Sequence, residues 1–423
     1  MLDTSGHPIR SSVRPVGALE QQFYRYAEHN PVHFSIAAEF DVALDENRVR
    51  SALDVLQRRH PLLSVHVVDH PESRLTFERA AAVAPISLHV HRRPDADWQA
   101  LAAEDLARPF DRSTAPLMRA TLVSAPEAST LVLTFDHTIA DGISSVEVVD
   151  DLLGVLNGRQ LSALPVPPSQ EDMIARLPDP SDEAPTPAAP AADPRMAVPT
   201  SVRPFDGVSP DLHTVAMTPV DTSHLVDRCR SEKTTVHAAI LTAAAHVRAR
   251  RLGQHYVRVL SPINFRSVVG AGGDCAAYFS CACTGTAPAE GTFWDQARTL
   301  TAQFTVARSA AGVRTFSAAM QQCAPVDADA AHHFFTHIVP WDLLVTNLGV
   351  QDLETSGPIR PTALWGPIVR THVNGDAGIG VLTYEGRLRM ISCGYTPVPE
   401  FLDDVVALLR DTCGGMPQLD STG

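Results

Sequence analysis

The chain has 423 residues, enough for two or three domains at roughly 100–200 residues per domain. Hydrophobic residues make up 44% and charged residues 19% of it, a composition that excludes a protein disordered throughout. The 34 basic and 48 acidic residues give a formal net charge of -14, and a surface with that excess repels the phosphate backbone that DNA-binding and RNA-binding proteins must neutralise.

The amino terminus and the apolar segments argue against secretion and membrane insertion. Residues 1–15 lack the apolar core of a signal peptide, and no segment offers the roughly 18 uncharged apolar residues that span a bilayer. The seven cysteines are odd in number and all lie in the second half, which suits reduced thiols better than a disulfide framework. We therefore expect a soluble, cytoplasmic protein with no membrane span.

Proline marks the main division of the chain. Twelve of the 33 prolines lie between Pro165 and Pro210, and a segment of this composition cannot hold a helix or a central strand. We therefore predict an N-terminal lobe over residues 1–165, a Pro/Ala-rich extended linker over residues 166–209 and a C-terminal lobe over residues 210–423.

Strands and helices alternate in the first half. One predicted helix carries Val49, Leu53 and Leu56 on one face and ends before Pro61. The predicted elements are, in chain order, a strand at Phe34–Phe40, a helix at Asp45–Arg59, a strand at Leu62–Val68, a strand at Thr130–Phe135 and a helix at Ile143–Leu156.

The second half repeats this style. The predicted strands are near Thr214–Met217, Tyr256–Leu260, Leu343–Thr346, Ile379–Tyr384 and Leu388–Cys393, and the predicted helices are Val236–Arg251 and Phe401–Leu409. This alternation favours two α/β lobes with mixed sheets. We expect the ligand site where the lobes meet, since clefts between domains are a favoured place for small-molecule chemistry.

A histidine follows the apolar strand at Thr130–Phe135, where the chain turns. With an ordinary pKa of about 6.5, His137 can accept a proton from a nucleophile and return it later. Asp141 could orient the imidazole directly, or it could pair elsewhere and fix the loop. Gly142 permits a backbone angle that a side chain would forbid. The alternative is that His137 and Asp141 are only turn-forming polar residues.

A hydroxyl and an amide end the predicted strand in the second half. Either Thr346 or Asn347 could donate a hydrogen bond to a developing oxyanion. The alternative is a polar turn at the strand end, closed by Gly349.

Three motifs, taken together and in this order, resemble the HxxxDG acyltransferase superfamily. They are Arg59-His60-Pro61-Leu62-Leu63, His137-xxx-Asp141-Gly142 and Pro262-Ile263-Asn264-Phe265-Arg266. The superfamily includes chloramphenicol acetyltransferase, the plant BAHD enzymes, the condensation domains of nonribosomal peptide synthetases and the mycobacterial polyketide-associated acyltransferases. The chain is similar in style to free-standing members of the last two groups.

The resemblance implies a V-shaped pseudo-dimer of two chloramphenicol-acetyltransferase-like lobes with mixed sheets and a tunnel between them. It implies that His137 is the general base and that Asp141 forms a salt bridge with Arg266, which favours the loop-fixing role. It further implies acyl-CoA or a phosphopantetheinyl thioester as co-substrate, with no bound cofactor and no metal. An acyl or peptidyl carrier protein would be the donor's partner, and a small alcohol or amine the acceptor.

The sequence also departs from the family pattern. Condensation domains usually carry two adjacent histidines, and Asp136 replaces the first of them here. The closing Asp-Phe-Gly-Trp-Gly motif of the plant enzymes has its nearest counterpart at Thr346–Gly349, which disfavours that group.

These departures lead us to predict an O-acyltransferase that moves an acyl group from a thioester to a hydroxyl, in secondary-metabolite or lipid biosynthesis. The alternatives are an amide-forming, free-standing condensation enzyme of a nonribosomal peptide pathway, or a non-catalytic condensation-like scaffold that recruits a carrier protein. We expect a monomer, because two fused lobes already supply the interface.

Two further clusters leave alternatives open. One cluster contains three histidines, His332, His333 and His337. They could bind a metal ion, but the absence of a neighbouring glutamate motif favours a structural segment. The other cluster contains four arginines, Arg248, Arg250, Arg251 and Arg258. They could bind the phosphates of coenzyme A or an acidic carrier protein, or they could belong to a solvated helix end.

Overall fold

A computed structural model describes residues 10–70, 74–92, 97–178, 193–353, 356–375, 377–395 and 400–414. The strands are β1 (Arg10–Pro15), β2 (His33–Phe40), β3 (His66–Val68), β4 (Thr76–Ala80), β5 (Ser87–His91), β6 (Met118–Ser124), β7 (Ser129–Asp136), β8 (Asp211–Ala216), β9 (Val257–Asn264), β10 (Phe279–Thr286), β11 (Leu343–Gln351), β12 (Ala363–Val369), β13 (Ala377–Tyr384) and β14 (Arg387–Gly394). The α-helices are α1 (Ala18–Tyr26), α2 (Glu46–Arg59), α3 (Trp98–Leu106), α4 (Gly142–Leu156), α5 (Gln170–Ile174), α6 (Pro219–Ser231), α7 (Val236–Leu252), α8 (Arg266–Val269), α9 (Phe293–Arg308), α10 (Ala310–Gln322), α11 (Ala328–His333) and α12 (Phe401–Thr412).

The strands of the described residues form three sheets. One sheet has the order β12-β2-β7-β6-β5, a second has the order β10-β9-β11-β13-β14-β8, and a small sheet has the order β1-β4-β3. The two larger sheets are mixed, because β5 runs parallel to β6 and β11 runs parallel to both β9 and β13. The predicted α/β class with mixed sheets is confirmed.

A strand from the second half completes the sheet of the first half. β12 pairs antiparallel with β2, with Leu364 opposite Ala38 and Ile368 opposite Ser35. The first-half sheet therefore depends on residues far along the chain, and the two halves are joined through shared backbone hydrogen bonds as well as side-chain packing. The lobe boundaries given above stay predictions.

The strand that leads to His137 lies at the centre of the first sheet. β7 pairs with β2 on one side and with β6 on the other, and its burial pattern leaves one of its eight residues short of full burial. A short apolar run of this kind is typical of a strand covered on both faces. The point at which β7 ends is therefore rigidly held.

Most of the predicted elements are present, and two differ. The expected strand at Leu62–Val68 begins as a 3-10 helix at Pro61–Ser64, and only His66–Val68 is extended. Pro61 opens that helical turn, since its fixed φ suits the first helical position. The prediction of a linker without helix was wrong at α5, where the Ser169 hydroxyl accepts from the Asp172 N–H. Residues 179–192 of the linker lie outside the described residues.

Two large apolar cores lie on either side of the region between the halves. The first packs α2 and α4 against the β2–β7 sheet, and the second packs α7, α9 and α12 against the six-stranded sheet. Among the described residues, no helix has the length and apolarity needed to cross a bilayer.

Candidate active site

A cavity lies between the two halves of the molecule. Its walls come from α1 and β2 on one side and from β9, β10 and β11 on the other. The space within it is about 1020 Å³, counted to its open mouth, which suits a small-molecule site. Its aromatic lining residues are Phe23, Tyr26, Phe34, Phe279, Phe335 and Trp341.

The structure places His137 in the wall of this cavity. Its backbone N–H donates to the Val32 carbonyl at 3.2 Å. The imidazole Nδ1 lies 2.9 Å from the Ala140 carbonyl oxygen, which can only accept, so Nδ1 carries the proton in this contact. The other ring nitrogen, Nε2, then carries the lone pair and has no hydrogen-bond partner among the described residues. His137 is therefore held as the tautomer that can accept a proton from a ligand.

Aromatic rings surround the imidazole. The Phe23 ring is stacked on it at 4.3 Å between centroids with 8° between planes. The Phe34 and Phe279 rings lie at 4.8 and 5.5 Å. This burial lowers the pKa of His137 below its ordinary 6.5, and the Asp141 carboxylate opposes that shift in part. The imidazole is therefore neutral, and able to act as a base, at neutral pH.

The carboxylate of Asp141 points away from the imidazole and into a network of donors. It accepts from the Ser144 N–H at 2.7 Å as the N-cap of α4, and from the Tyr278 N–H at 2.8 Å. It also accepts from Arg266 Nη2 at 2.9 and 3.0 Å. With its acceptor sites engaged there, Asp141 fixes the loop, and the structure gives no support to a direct relay to His137.

Arg266 is buried, with 5% of its surface exposed, and its donors point to backbone as well as to Asp141. Its guanidinium donates to the carbonyls of Gly272, Asp274 and Ala276, at 3.3, 3.1 and 2.7 Å. The glycine-containing loop between α8 and β10 therefore closes over a charge rather than over a ligand. The salt bridge joins the N-cap of α4 in the first half to the start of α8 in the second.

Gly142 is needed for close packing and not for an unusual backbone angle. Its φ lies outside the left-handed range, which corrects the reason given for it from the sequence. A Cβ at this position would lie 2.6 Å from a methyl carbon of Leu348 on β11. A side chain here would therefore require the Leu348 side chain to move.

Thr346 and Asn347 both line the cavity. The Asn347 carbonyl oxygen accepts from the Gly349 N–H at 2.8 Å, which leaves the side-chain amide N–H groups available to a ligand. The expected turn at a strand end was wrong, because β11 continues to Gln351 and this bond lies at an irregularity within the strand. The role of Thr346 or Asn347 toward an oxyanion stays a prediction.

Asp136 takes a structural position before His137. Its carboxylate is buried and accepts from the Thr138 N–H at 2.9 Å. This bond closes the turn that follows β7. The replacement of the first family histidine therefore supplies a cap for the turn.

Pro262 and Asn264 of the third motif line the cavity, whereas His60 and the histidine cluster lie outside it. His60 ends α2 and binds the Asp151 carboxylate at 3.1 Å. The rings of His333 and His337 stack at 4.5 Å, and the described residues hold no group of three or more side chains suited to a metal ion.

The arginine cluster is bound within the protein. Arg250 and Arg251 bind Asp404, and Arg258 binds Asp342. Arg248 donates to the Gly375 carbonyl. Arg250 and Arg251 are exposed in the last turn of α7, as the interpretation of a solvated helix end predicts, whereas Arg248 and Arg258 are buried.

Sequence reasoning missed several cavity residues. Phe23 lies on a helix that the periodicity analysis did not identify. Tyr278 lies outside the cavity lining, but its backbone N–H donates to Asp141 and its ring lies 5.0 Å from the Arg266 guanidinium. Arg370 and His372 follow β12, and the only signal for them is a pair of polar residues at the end of an apolar strand. That signal drew attention to Thr346 and Asn347, and it applies equally here.

Comparison with known proteins gives the family context of this geometry. Residues 22–179 match the model of the Condensation domain. Tyrocidine synthase 3 of Brevibacillus parabrevis is 30% identical over 159 residues, a match that covers 37% of this chain and 2% of the synthase. The predicted superfamily is confirmed. The chain thus spans a small fraction of the length of that multidomain relative.

Solved structures show the same fold over nearly the whole chain. Polyketide synthase associated protein 5 from Mycobacterium tuberculosis superimposes with a TM-score of 0.65 at 18% identity, over 96% of this chain and 99% of that one. The first condensation domain of the CDA synthetase also gives 0.65, at 14% identity over 96% of each chain. The two-lobed fold that the resemblance implied is confirmed.

Proposed function

We propose that this condensation-domain relative joins the acyl group of a thioester to a nucleophilic acceptor, with His137 as general base. The observation that carries the proposal is the state of that one imidazole. Its Nδ1–H is engaged by Ala140, its Nε2 has no partner among the described residues, and it lines the cavity between the halves. The Asp141–Arg266 salt bridge holds its loop in place.

The reaction needs no covalent enzyme intermediate. Nε2 of His137 takes the proton of the acceptor as the acceptor nitrogen or oxygen bonds to the thioester carbonyl carbon. The carbonyl oxygen becomes an oxyanion, toward which Asn347 Nδ2 or the Thr346 hydroxyl would donate. Collapse of the tetrahedral species breaks the carbon–sulfur bond, and the imidazolium returns the proton to the departing thiolate.

Acyl-CoA or a phosphopantetheinyl thioester on a carrier protein would supply the acyl group. The arginines at Arg248–Arg251 do not support a docking patch for phosphate or an acidic protein, because the cations there bind internal acceptors. The partner is therefore proposed on the condensation-domain relationship and not on surface charge.

An amine is the first choice of acceptor. The match to the Condensation domain and the similarity to a peptide synthetase favour the amide-forming alternative over the O-acyl transfer that the sequence analysis put first. A hydroxyl acceptor is the second candidate, and the observation that favours it is Asp136 in place of the first of two histidines.

Matched acceptors test both candidates. The protein is incubated with acetyl-CoA, octanoyl-CoA or benzoyl-CoA and with either 2-phenylethylamine or 2-phenylethanol, and products are identified by mass spectrometry. The amide should form faster than the ester. His29→Ala is the matched control for His137→Ala, because His29 is exposed and lies outside the cavity. Equal turnover by wild type and His137→Ala would end the catalytic proposal.

The non-catalytic scaffold makes the opposite prediction. It requires stable binding of an acyl carrier protein with no product from any donor and acceptor pair. Carrier-protein binding measured by calorimetry, together with the product assay, separates the scaffold from an enzyme that uses a carrier-bound donor.

A further inference from the structure

Three consecutive residues after β12 give the cavity a polar wall. Arg370, Thr371 and His372 all line the cavity. Each is buried, and each has a side-chain atom with no hydrogen-bond partner: Nε of Arg370, Oγ1 of Thr371 and Nδ1 of His372. Buried polar atoms are nearly always paired in native proteins. Two of these atoms, Nε of Arg370 and Oγ1 of Thr371, can donate, so this stretch of the wall offers unused donors to an anionic group.

The charge of this wall is positive and unbalanced. Arg370 is 2% exposed, and its Nη2 and Nη1 donate to the Pro31 carbonyl at 2.7 Å and to the Tyr395 hydroxyl at 3.4 Å. No carboxylate of the described residues pairs with it. Burial and the neighbouring guanidinium lower the pKa of His372 to about 4, so His372 is neutral, and the wall carries the single charge of Arg370.

Another buried arginine shows what a structural role looks like here. Arg389 also lacks a carboxylate partner among the described residues and is 5% exposed. Its donors are taken by the carbonyls of Tyr384 and Thr362, at 2.9 and 3.2 Å, and it lies over the Trp365 ring. Arg389 is outside the cavity and has no unpaired buried nitrogen. Arg370 differs from Arg389 in both respects, because it lines the cavity and has an unpaired buried nitrogen.

A row of aromatic rings connects this wall to His137. Phe23 stacks on His137, and the Phe335 ring lies 6.3 Å from Phe23. Tyr26 lies 4.6 Å from Phe335 and 6.4 Å from the His372 ring. A ligand that lies along this row touches apolar and aromatic surface between the imidazole at one end and the guanidinium at the other.

We propose that Arg370 and Thr371 bind the free carboxylate of the acceptor, whose apolar or aromatic body lies along this row with its nucleophile at His137. His372 lies beside them and donates its one ring N–H, on Nε2, to the Pro31 carbonyl at 3.2 Å. The planar guanidinium matches a carboxylate in charge and geometry, and the Thr371 hydroxyl can donate to it as well. The carboxyl carbon of a simple acyl donor is the reacting carbonyl, so the free carboxylate belongs to the acceptor. This inference rests on the proposed function for the assignment to the acceptor, and on the cavity wall for the site itself.

Direct binding tests the site without any turnover. The probes are 3-phenylpropionate and 3-phenylpropionamide, which differ in charge at one end, and binding is measured by calorimetry. Wild type should bind the carboxylate about tenfold or more tightly than the amide, as expected for a hydrogen bond to a charged group. Arg370→Met should lose this preference, Arg370→Lys should keep part of it, and the matched control Arg389→Met should keep all of it.

Equal affinity of wild type for the two probes would overturn the proposal, and so would an Arg370→Met protein that still prefers the carboxylate. If Arg370→Met does not fold, the relative affinities of the two probes for wild type and for Arg370→Lys test the carboxylate site.

Kinetics then test the assignment to the acceptor. The acceptors are 4-(aminomethyl)benzoate and its methyl ester, with benzoyl-CoA as donor. Arg370→Met should raise KM for the carboxylate by about tenfold or more relative to its effect on KM for the ester. An equal rise in KM for both acceptors would contradict the assignment. Absence of turnover with either acceptor in wild type would count against the proposed function, while the binding measurement would still decide the carboxylate site.

Discussion

Two buried arginines next to one cavity differ in the groups that accept their hydrogen bonds. Arg266 meets a carboxylate and three backbone carbonyls, whereas Arg370 meets one carbonyl and one hydroxyl and no carboxylate of the described residues. A buried cation with its own carboxylate serves the structure, because the pair is already complete. A buried cation without one is available to an anionic ligand. The contrast separates the part of the site that holds the imidazole from the part that we propose holds the acceptor.

The largest expected effect concerns the imidazole on the loop that Arg266 anchors. His137→Ala should lower turnover by about 10²–10⁴-fold, the usual contribution of general base catalysis, with little change in the free energy of unfolding. Product formation by mass spectrometry measures the first and chemical denaturation the second. His29→Ala should retain wild-type turnover.

The second prediction breaks the Arg266 pairing. Asp141→Asn leaves a buried guanidinium without its counter-charge, and the free energy of unfolding should fall by about 3–5 kcal/mol. Asp45 is also an N-cap aspartate, but it is exposed and has no buried arginine. Asp45→Asn should therefore have little effect, since Asn and Asp cap helices about equally well. Urea denaturation of the two variants gives the comparison.

A double variant sharpens that result. Asp141→Asn together with Arg266→Met removes the unpaired charge as well, so the combined loss should be smaller than the sum of the two single losses. Additive losses would show that the two side chains do not depend on each other.

The third prediction concerns the stability of the Arg370 region. Arg370→Met removes no salt bridge, because no described carboxylate pairs with Arg370, and it also removes an unbalanced buried charge. The free energy of unfolding should change by about 1–2 kcal/mol or less, the scale of one lost hydrogen bond to Pro31. A loss as large as that of Asp141→Asn would mean that Arg370 is as structural as Arg266. Denaturation under the same conditions measures both.

The fourth prediction is a dependence of stability on pH. Burial lowers the pKa of His237 to about 3 and that of His372 to about 4, while both titrate near 6.5 when unfolded. The unfolded chain binds more protons below that value, so stability is fully present above pH 6.5 and is lost as the pH falls. Each histidine should contribute about 1.4 kcal/mol per pH unit between pH 6 and its folded pKa.

The comparison of the two regions predicts which variant changes this slope. Arg370 is one of the causes of the low pKa of His372, so Arg370→Met should raise that pKa and reduce the slope near pH 4–5. His237 lies beside Phe304 and away from the cavity, and its contribution should stay the same. The free energy of unfolding is measured at several pH values for wild type and Arg370→Met. An unchanged slope in Arg370→Met would contradict the coupling between Arg370 and His372.

Much of the local structure could be predicted from the sequence, and the reasons are visible in single elements. The apolar run before Asp136 and the helix after Asp141 follow from spacing and capping, and both are present as β7 and α4. The expected strand at Leu62 failed because a proline opened a 3-10 turn first. Local pattern predicts an element well where one preference dominates and poorly where two compete.

The candidate site was predictable only in part. The histidine, the aspartate and the arginine carry a motif, so their positions could be named in advance. Phe23, Arg370 and His372 carry none, because their contribution depends on which surfaces meet when the halves pack. The reason given for Gly142 was also wrong for this cause: the neighbour that excludes a side chain is Leu348, about 200 residues further along the chain.

The sequence by itself determined the order of strands and helices, the turn that presents His137 and the superfamily, because these depend on short-range spacing and side-chain chemistry. Only the tertiary structure decided which charges are neutralised. Whether a buried arginine holds the fold or remains available to a ligand depends on the acceptors brought to it by distant segments. Asp141 reaches Arg266 across 125 positions of the chain, and no described carboxylate reaches Arg370.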